Sequence, residues 1–236
     1  MNKNQLANIY NEIASCHICP KMDKIKSKRN IDAVTKATEV FIISQALASS
    51  QLRLSGVNFF KTDGQAGNTG KQLEKFLNLF GQTIYPDKDI FLSNDVKISK
   101  CSKDYTPVYN TEITQCFPGP GKVKGDRLPD DEEINNCLSK QFIFSELKII
   151  KPKLLLLMGR LSIQTFNKYI LKKIEKRSIN DLLNEIIINN KIPDYDLFGF
   201  KVKVLPIQHA SGVNPNYNKM LKNRSIVEII RRSLDE

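Results

Sequence analysis

Cys16 and Cys19 form a C-x-x-C pair in Cys16-His17-Ile18-Cys19-Pro20, and Cys116 and Cys137 follow far downstream with twenty residues between them. Two close thiolates and two distant ones can close a four-ligand site for zinc or for an iron–sulfur cluster, which would pin the N-terminal segment onto the middle of the fold. Cys101 is left over. An odd cysteine count behind a polar start, Met1-Asn2-Lys3-Asn4-Gln5, argues against a disulfide framework and for metal ligation in a reducing compartment. Of the two histidines, His17 lies between the paired cysteines, while His209 stands alone in Gln208-His209-Ala210-Ser211-Gly212. A lone histidine is more often structural than catalytic. Asn110 carries an amide that donates and accepts at once. Phe59 and Phe60 are adjacent rings, a pattern commoner in cores than in sites. Asp63 offers a carboxylate, but Asp63-Gly64 reads first as a turn.

Strands alternating with helices must position these groups. Residues 3–15 read as a helix that delivers Cys16 and Cys19. Glu39 to Ser44 is a compact apolar run, the mark of a buried parallel strand. Asn68-Thr69-Gly70 opens a helix with Leu73, Phe76, Leu77 and Phe80 at the helical period. Further strands are expected at 89–93, from Val108 towards Cys116, at 153–158 and at 200–207. Further helices are expected from Asp130 to about Ile150, after Gly159-Arg160, at 176–190 and at 217–234. The stretches 97–108 and 118–129 read as irregular. Such alternation implies a mostly parallel sheet covered on both faces, with its ligand site at the carboxyl ends of the strands. The loops after Ser44, Tyr109 and Ile207 then converge on one edge. No linker or repeat interrupts the 236 residues, so a single domain is expected, with residues 1–37 as a cysteine-bearing segment pinned to it.

Lys and Arg number 36 against 25 Asp and Glu, a formal net charge of +11, which points to a polyanionic partner such as nucleic acid. No apolar run reaches the length of a membrane span, and Lys153 to Met158 is too short. A soluble, intracellular (cytoplasmic) monomer without membrane contact is the expectation.

Several segments resemble family 4 uracil-DNA glycosylases in chain order. Asn110-Thr111-Glu112-Ile113-Thr114-Gln115-Cys116-Phe117-Pro118-Gly119 looks like their N-x-x-x-x-x-C-x-P-G segment, and Pro129 to Cys137 looks like P-x-x-E-E-I-x-x-C. Pro152 to Arg160 is similar to the strand and G-R turn that follow, and Pro206-Ile207-Gln208-His209-Ala210-Ser211-Gly212 to the H-P-S loop. Gly56-Val57-Asn58-Phe59 resembles G-x-P-F, and Cys16-His17-Ile18-Cys19 the N-terminal cysteine pair. Together they run from residue 16 to about 215.

The resemblance implies an α/β fold, a three-layer α/β/α sandwich around a mostly parallel four-stranded sheet. It implies a [4Fe–4S] cluster on Cys16, Cys19, Cys116 and Cys137, with Cys101 in place of Cys116 as a rival register and zinc as the alternative metal. It implies excision of uracil from DNA by hydrolysis, leaving an abasic site. His209 would donate to the base oxygen that gains charge, Asn110 would read the base edge, and Phe59, or Phe60, would stack on it. The first motif departs from the family: Ser44-Gln45-Ala46-Leu47-Ala48 stands where G-E-A-P-G is expected. Gln45 is no general base, yet its amide can position water and the Gln45–Ala46 backbone can bind the base. Asp63 is a possible replacement carboxylate. Ser211 and Gly212 would contact the DNA near the flipped nucleotide, with Lys122, Lys124 and Arg127 on phosphates and Tyr217 as a wedge. The altered motif keeps two other readings open: a glycosylase for hypoxanthine or xanthine, and a non-catalytic nucleic-acid-binding homologue.

Overall fold

The computed structural model describes residues 2–19, 22, 38–46, 58–61, 63–92, 95–122 and 126–236. Its centre is a five-stranded sheet built from β1 (Val40–Ala46), β2 (Tyr109–Thr114), β3 (Leu154–Met158), β4 (Asp194–Leu197) and β5 (Phe200–Ile207), in the order β2-β1-β3-β5-β4. The first four strands in that order are parallel: Ile42 pairs with Asn110 on one side and Leu156 on the other, and Leu156 pairs with Leu205. The expected four-stranded parallel sheet is therefore present, with β4 added antiparallel at one edge. β4 and β5 are joined by Phe198-Gly199, both at positive φ (+53° and +82°), the backbone of a two-residue hairpin turn.

The run Leu154-Leu155-Leu156-Leu157-Met158 is buried at every position, as are Val40 to Ile43. A strand buried at successive residues must be covered on both faces. Each fully buried leucine contributes about 1.5–3 kcal/mol, an upper estimate. On one face Ile43 and Ile113 meet Leu138 of α3 (Asp131–Ser139), Ile143 of α4 (Phe142–Ile150) and Ser162 of α5 (Arg160–Thr165). A π turn, Phe166–Ile170, continues α5. The other layer joins α2 (Asn68–Leu77), α7 (Pro215–Leu221) and α8 (Arg224–Asp235): Phe76 meets Tyr217 edge-on at 6.5 Å, and Arg231 donates to the Leu79 carbonyl at 2.8 Å. α6 (Ile179–Asn189) packs on β5 and touches α8.

α1 (Lys3–Ser15) buries Leu6, Ile9 and Ile13 along one stripe. Tyr109 OH donates to the Glu146 carboxylate at 2.7 Å, so its oxygen accepts from Tyr10 OH at 2.8 Å. This buried chain ties α1, and the cysteines that follow it, to β2 and α4. The single helix expected over 130–150 is two, broken where Gln141 adopts φ +58°. The expected terminal helix is likewise α7 and α8, each with an asparagine cap.

Candidate functional site

At the carboxyl ends of β1, β3 and β5 lies a cavity of about 270 Å³, just under the usual range of about 300–1,000 Å³ for small-molecule pockets. β1 brings Gln45 and Ala46 to it, β3 brings Met158, and His209 follows β5 by two residues. Asn58 and Phe59 enter from the loop after β1, and Pro118, Asp126 and Arg127 from the segment after β2.

His209 is set by its backbone: its carbonyl accepts from Ser211 N at 2.7 Å and Asn214 Nδ2 at 3.2 Å. Gly159 donates its N–H to the Ile207 carbonyl at 2.9 Å and holds φ +85° beside the imidazole, where a Cβ would sit 3.6 Å from His209 Cβ. His209 lines the cavity yet keeps much of its surface open to solvent, so the protein around it desolvates the imidazole only in part. Desolvation holds its pKa below the ordinary value, with no carboxylate contributing. At neutral pH the ring is uncharged, with one N–H donor and one lone pair.

Phe59 is 2% exposed and sits at φ +69°, a region an aromatic residue rarely adopts. Its carbonyl accepts the Gly67 N–H at 2.7 Å. Gly70 in the first turn of α2 lets the helix approach, since a Cβ there would stand 2.8 Å from the Phe59 carbonyl oxygen. Strain of this kind costs about 1–3 kcal/mol and gathers at functional sites. Asn58 Nδ2 donates to Asn110 Oδ1 at 2.8 Å. Asn58 therefore lines the cavity, with Asn110 behind it.

The other expected site residues fall elsewhere. Phe60 turns away and meets Tyr85 edge-on at 5.3 Å. Asp63 is exposed and accepts from Gln65 N at 2.9 Å, so it closes a turn outside the cavity. Ser211 lines a neighbouring groove with Asn68, Gln72, Tyr85, Gly212 and Val213, joined to the cavity by Thr69. Tyr217, expected as a wedge, is fully buried and donates to the Gln72 carbonyl at 2.8 Å; Val213 is the residue left 91% exposed. Arg127 is no free phosphate ligand, because it forks onto Glu133 at 2.5 and 2.7 Å. Lys122 is exposed, whereas Lys124, Leu47, Ala48 and the basic stretch 23–37 lie outside the described residues. Asn58, Asp126, Gly70 and Arg127's role as cavity wall went unread; a glycine inside the first turn of a helix was the one local signal.

The cysteines divide in two groups. Burial pushes the Cys137 thiol up to about 12, with the charges of Cys116, Cys19 and Cys16 adding to the rise and the Gln115 N–H on its Sγ opposing it. Burial also raises Cys19, beside Cys16. Cys101 acts instead on Tyr85. Among the described residues, no three His, Cys, Asp or Glu side chains are grouped tightly enough to hold one metal ion.

A comparison with curated proteins finds no match. The family model for the uracil DNA glycosylase superfamily matches residues 31–233. The chain belongs to the uracil DNA glycosylase superfamily. Members of that superfamily are DNA glycosylases that act on DNA, and the chain's net charge of +11 is consistent with DNA as its partner. Among the described residues no helix is long and apolar enough to cross a membrane.

Proposed function

We propose that the chain hydrolyses the N-glycosidic bond of uracil in DNA and leaves an abasic site. The observation that carries the proposal is the meeting of an uncharged His209, the Gln45 amide and the Phe59 ring around one cavity at the sheet's carboxyl edge. The base must leave the stack to reach it, and Val213 at the rim of the adjoining groove is placed to fill the gap. Phe59 stacks on the base. As the bond breaks, the sugar turns cationic and the base anionic, and the His209 N–H stabilises the oxygen that gains charge. Gln45 orients the water through its amide. Asp126, the carboxylate on the cavity wall, takes the part expected of a glutamate in the first motif.

An iron–sulfur cluster on Cys16, Cys19, Cys116 and Cys137 is what the resemblance implies, and the electrostatic reach of Cys116, Cys19 and Cys16 to Cys137 supports their lying in one neighbourhood. When bound, the cluster anchors the cysteine segment; base excision needs no electron transfer from it.

The test is incubation of the purified chain with single- and double-stranded oligonucleotides bearing one uracil, hypoxanthine or xanthine, followed by alkali cleavage at abasic sites. Uracil strands are expected to be cut. A salt-sensitive complex with no strand cut would instead favour the binding-homologue reading that Gln45 motivates.

A further inference from the structure

We infer that a second cavity, held between β5, the π turn and α6, binds a small amphiphile with an apolar body and one carboxylate head. It shares no lining residue with the sheet-end cavity, so the site is independent of the glycosylase reading. Its volume is about 360 Å³, at the small end of the range of about 300–1,000 Å³ for ligand pockets. Leu157, Val204 and Pro206 line it from the sheet, Phe166 from the π turn, and Leu182 and Ile186 from α6. Such a floor takes an apolar body out of water. At the mouth the charges are paired with one exception. Arg177 donates to Glu175 at 2.9 and 2.8 Å and also reaches Glu185, and Lys191 pairs with Asp194 at 2.8 Å. The Glu175 carboxyl, held down to about 2, is lowered first by its Arg177 hydrogen bond and least by Lys173. The Lys173 ammonium lies over the Tyr195 ring, 5.7 Å from its centroid, and among the described residues no carboxylate pairs with it. Beside it is Asn167, 6% exposed, which donates one amide N–H to the Ile163 carbonyl at 2.8 Å. The second amide N–H has no partner among the described residues. A carboxylate at this end accepts from both the ammonium and that N–H, and hydrogen bonds to an ionised acceptor are the strong ones.

Local backbone brings the two head-group donors to one end. The π turn closes with the Leu171 N–H on the Phe166 carbonyl at 3.2 Å, and π turns within helices gather at functional sites. Lys172 then adopts φ +54°, and Leu171 and Lys173 on either side of it both line the cavity. The Lys173 backbone N–H donates to the Asn167 carbonyl at 3.0 Å, which fixes the lysine next to the asparagine. A neutral apolar ligand would leave Lys173 unused, and a cation would be repelled by it. A phosphate of duplex DNA could meet Lys173 but would leave the apolar floor in water.

The test titrates the full chain by calorimetry with 2-naphthoate and octanoate, each beside an uncharged counterpart, 2-naphthamide and 1-octanol. The two bodies separate a ring from an acyl chain as the natural ligand's apolar part. At least one carboxylate is expected to bind with a Kd of about 0.1 mM or tighter, within the limit for ligands of this size, and to raise the melting temperature as it does so. Its uncharged counterpart should bind more weakly. Lys173→Glu changes an exposed residue and should weaken that carboxylate about 5-fold while leaving the counterpart as it was. Leu182→Trp narrows the cavity and should weaken both. Binding of neither carboxylate, equal binding of carboxylate and counterpart, or a carboxylate affinity untouched in the Lys173 variant overturns the inference.

Discussion

Partial desolvation lowers the pKa of the His209 imidazole, and that sets the direction of a pH dependence. Its folded pKa lies below the ordinary value of about 6.5. Excision is expected to hold down through pH 6.5 and to fall only below it, measured as a single-turnover pH profile; an acid limb at or above 6.5 would speak for a charged imidazole. The stability linkage has the same sign: as pH drops from about 6.5 towards the folded pKa, the unfolded chain takes up a proton the folded one refuses, so stability is lost over that window. His209→Ala should lose about 10²–10³-fold in excision, as for removal of one charge-stabilising donor, with DNA binding retained. Gly70→Ala would press on the Phe59 carbonyl, costing about 1–3 kcal/mol, and should reduce excision further than the melting shift accounts for. That His209, Gln45 and Ala46 line one cavity was legible because each sits at or just after a strand end, and Phe59 because its motif marks it. Asn58 was not, because its meaning depends on Asn110, brought beside it by the sheet.

At the scale of elements, apolar runs revealed β1 and β3, whose burial on both faces leaves a continuous hydrophobic signature, and alternation revealed β5, in which Lys201 and Lys203 break the run. β4, Asp194-Tyr195-Asp196-Leu197, is an edge strand with two exposed acids and a Phe-Gly turn, so it carries neither the alternation nor the usual turn pair. The break between α3 and α4 has no glycine or proline to announce it. The wall after β2 is braced by Arg127 on Glu133, which is 3% exposed and also accepts from Asp130 N to complete the helix cap. Arg127→Met would strand that carboxylate, at about 3 kcal/mol since the arginine is itself partly in water, and should lower the melting temperature by roughly 6–12 °C at 2–4 °C per kcal/mol. An unchanged melting temperature would mean the pair does not brace the wall.

For the whole molecule, superfamily membership and the +11 charge converge on DNA. Affinity for undamaged duplex should fall linearly with the logarithm of salt concentration. Pro118 lines the cavity two residues after Cys116, and Cys116, Cys19 and Cys16 all act electrostatically on Cys137. Cys137→Ser is expected to lower both the visible absorbance of the purified protein and its melting temperature, whereas Cys101→Ser should change neither. The proposed function turns on one event, a single base enclosed by loops from three strand ends and then released. Mass spectrometry of the small-molecule fraction, after one turnover on a uracil-containing duplex, reads that event. Free uracil in amounts matching the abasic sites, and nearly none from His209→Ala, is the result expected; a tightly bound duplex from which no base is ever freed would contradict it.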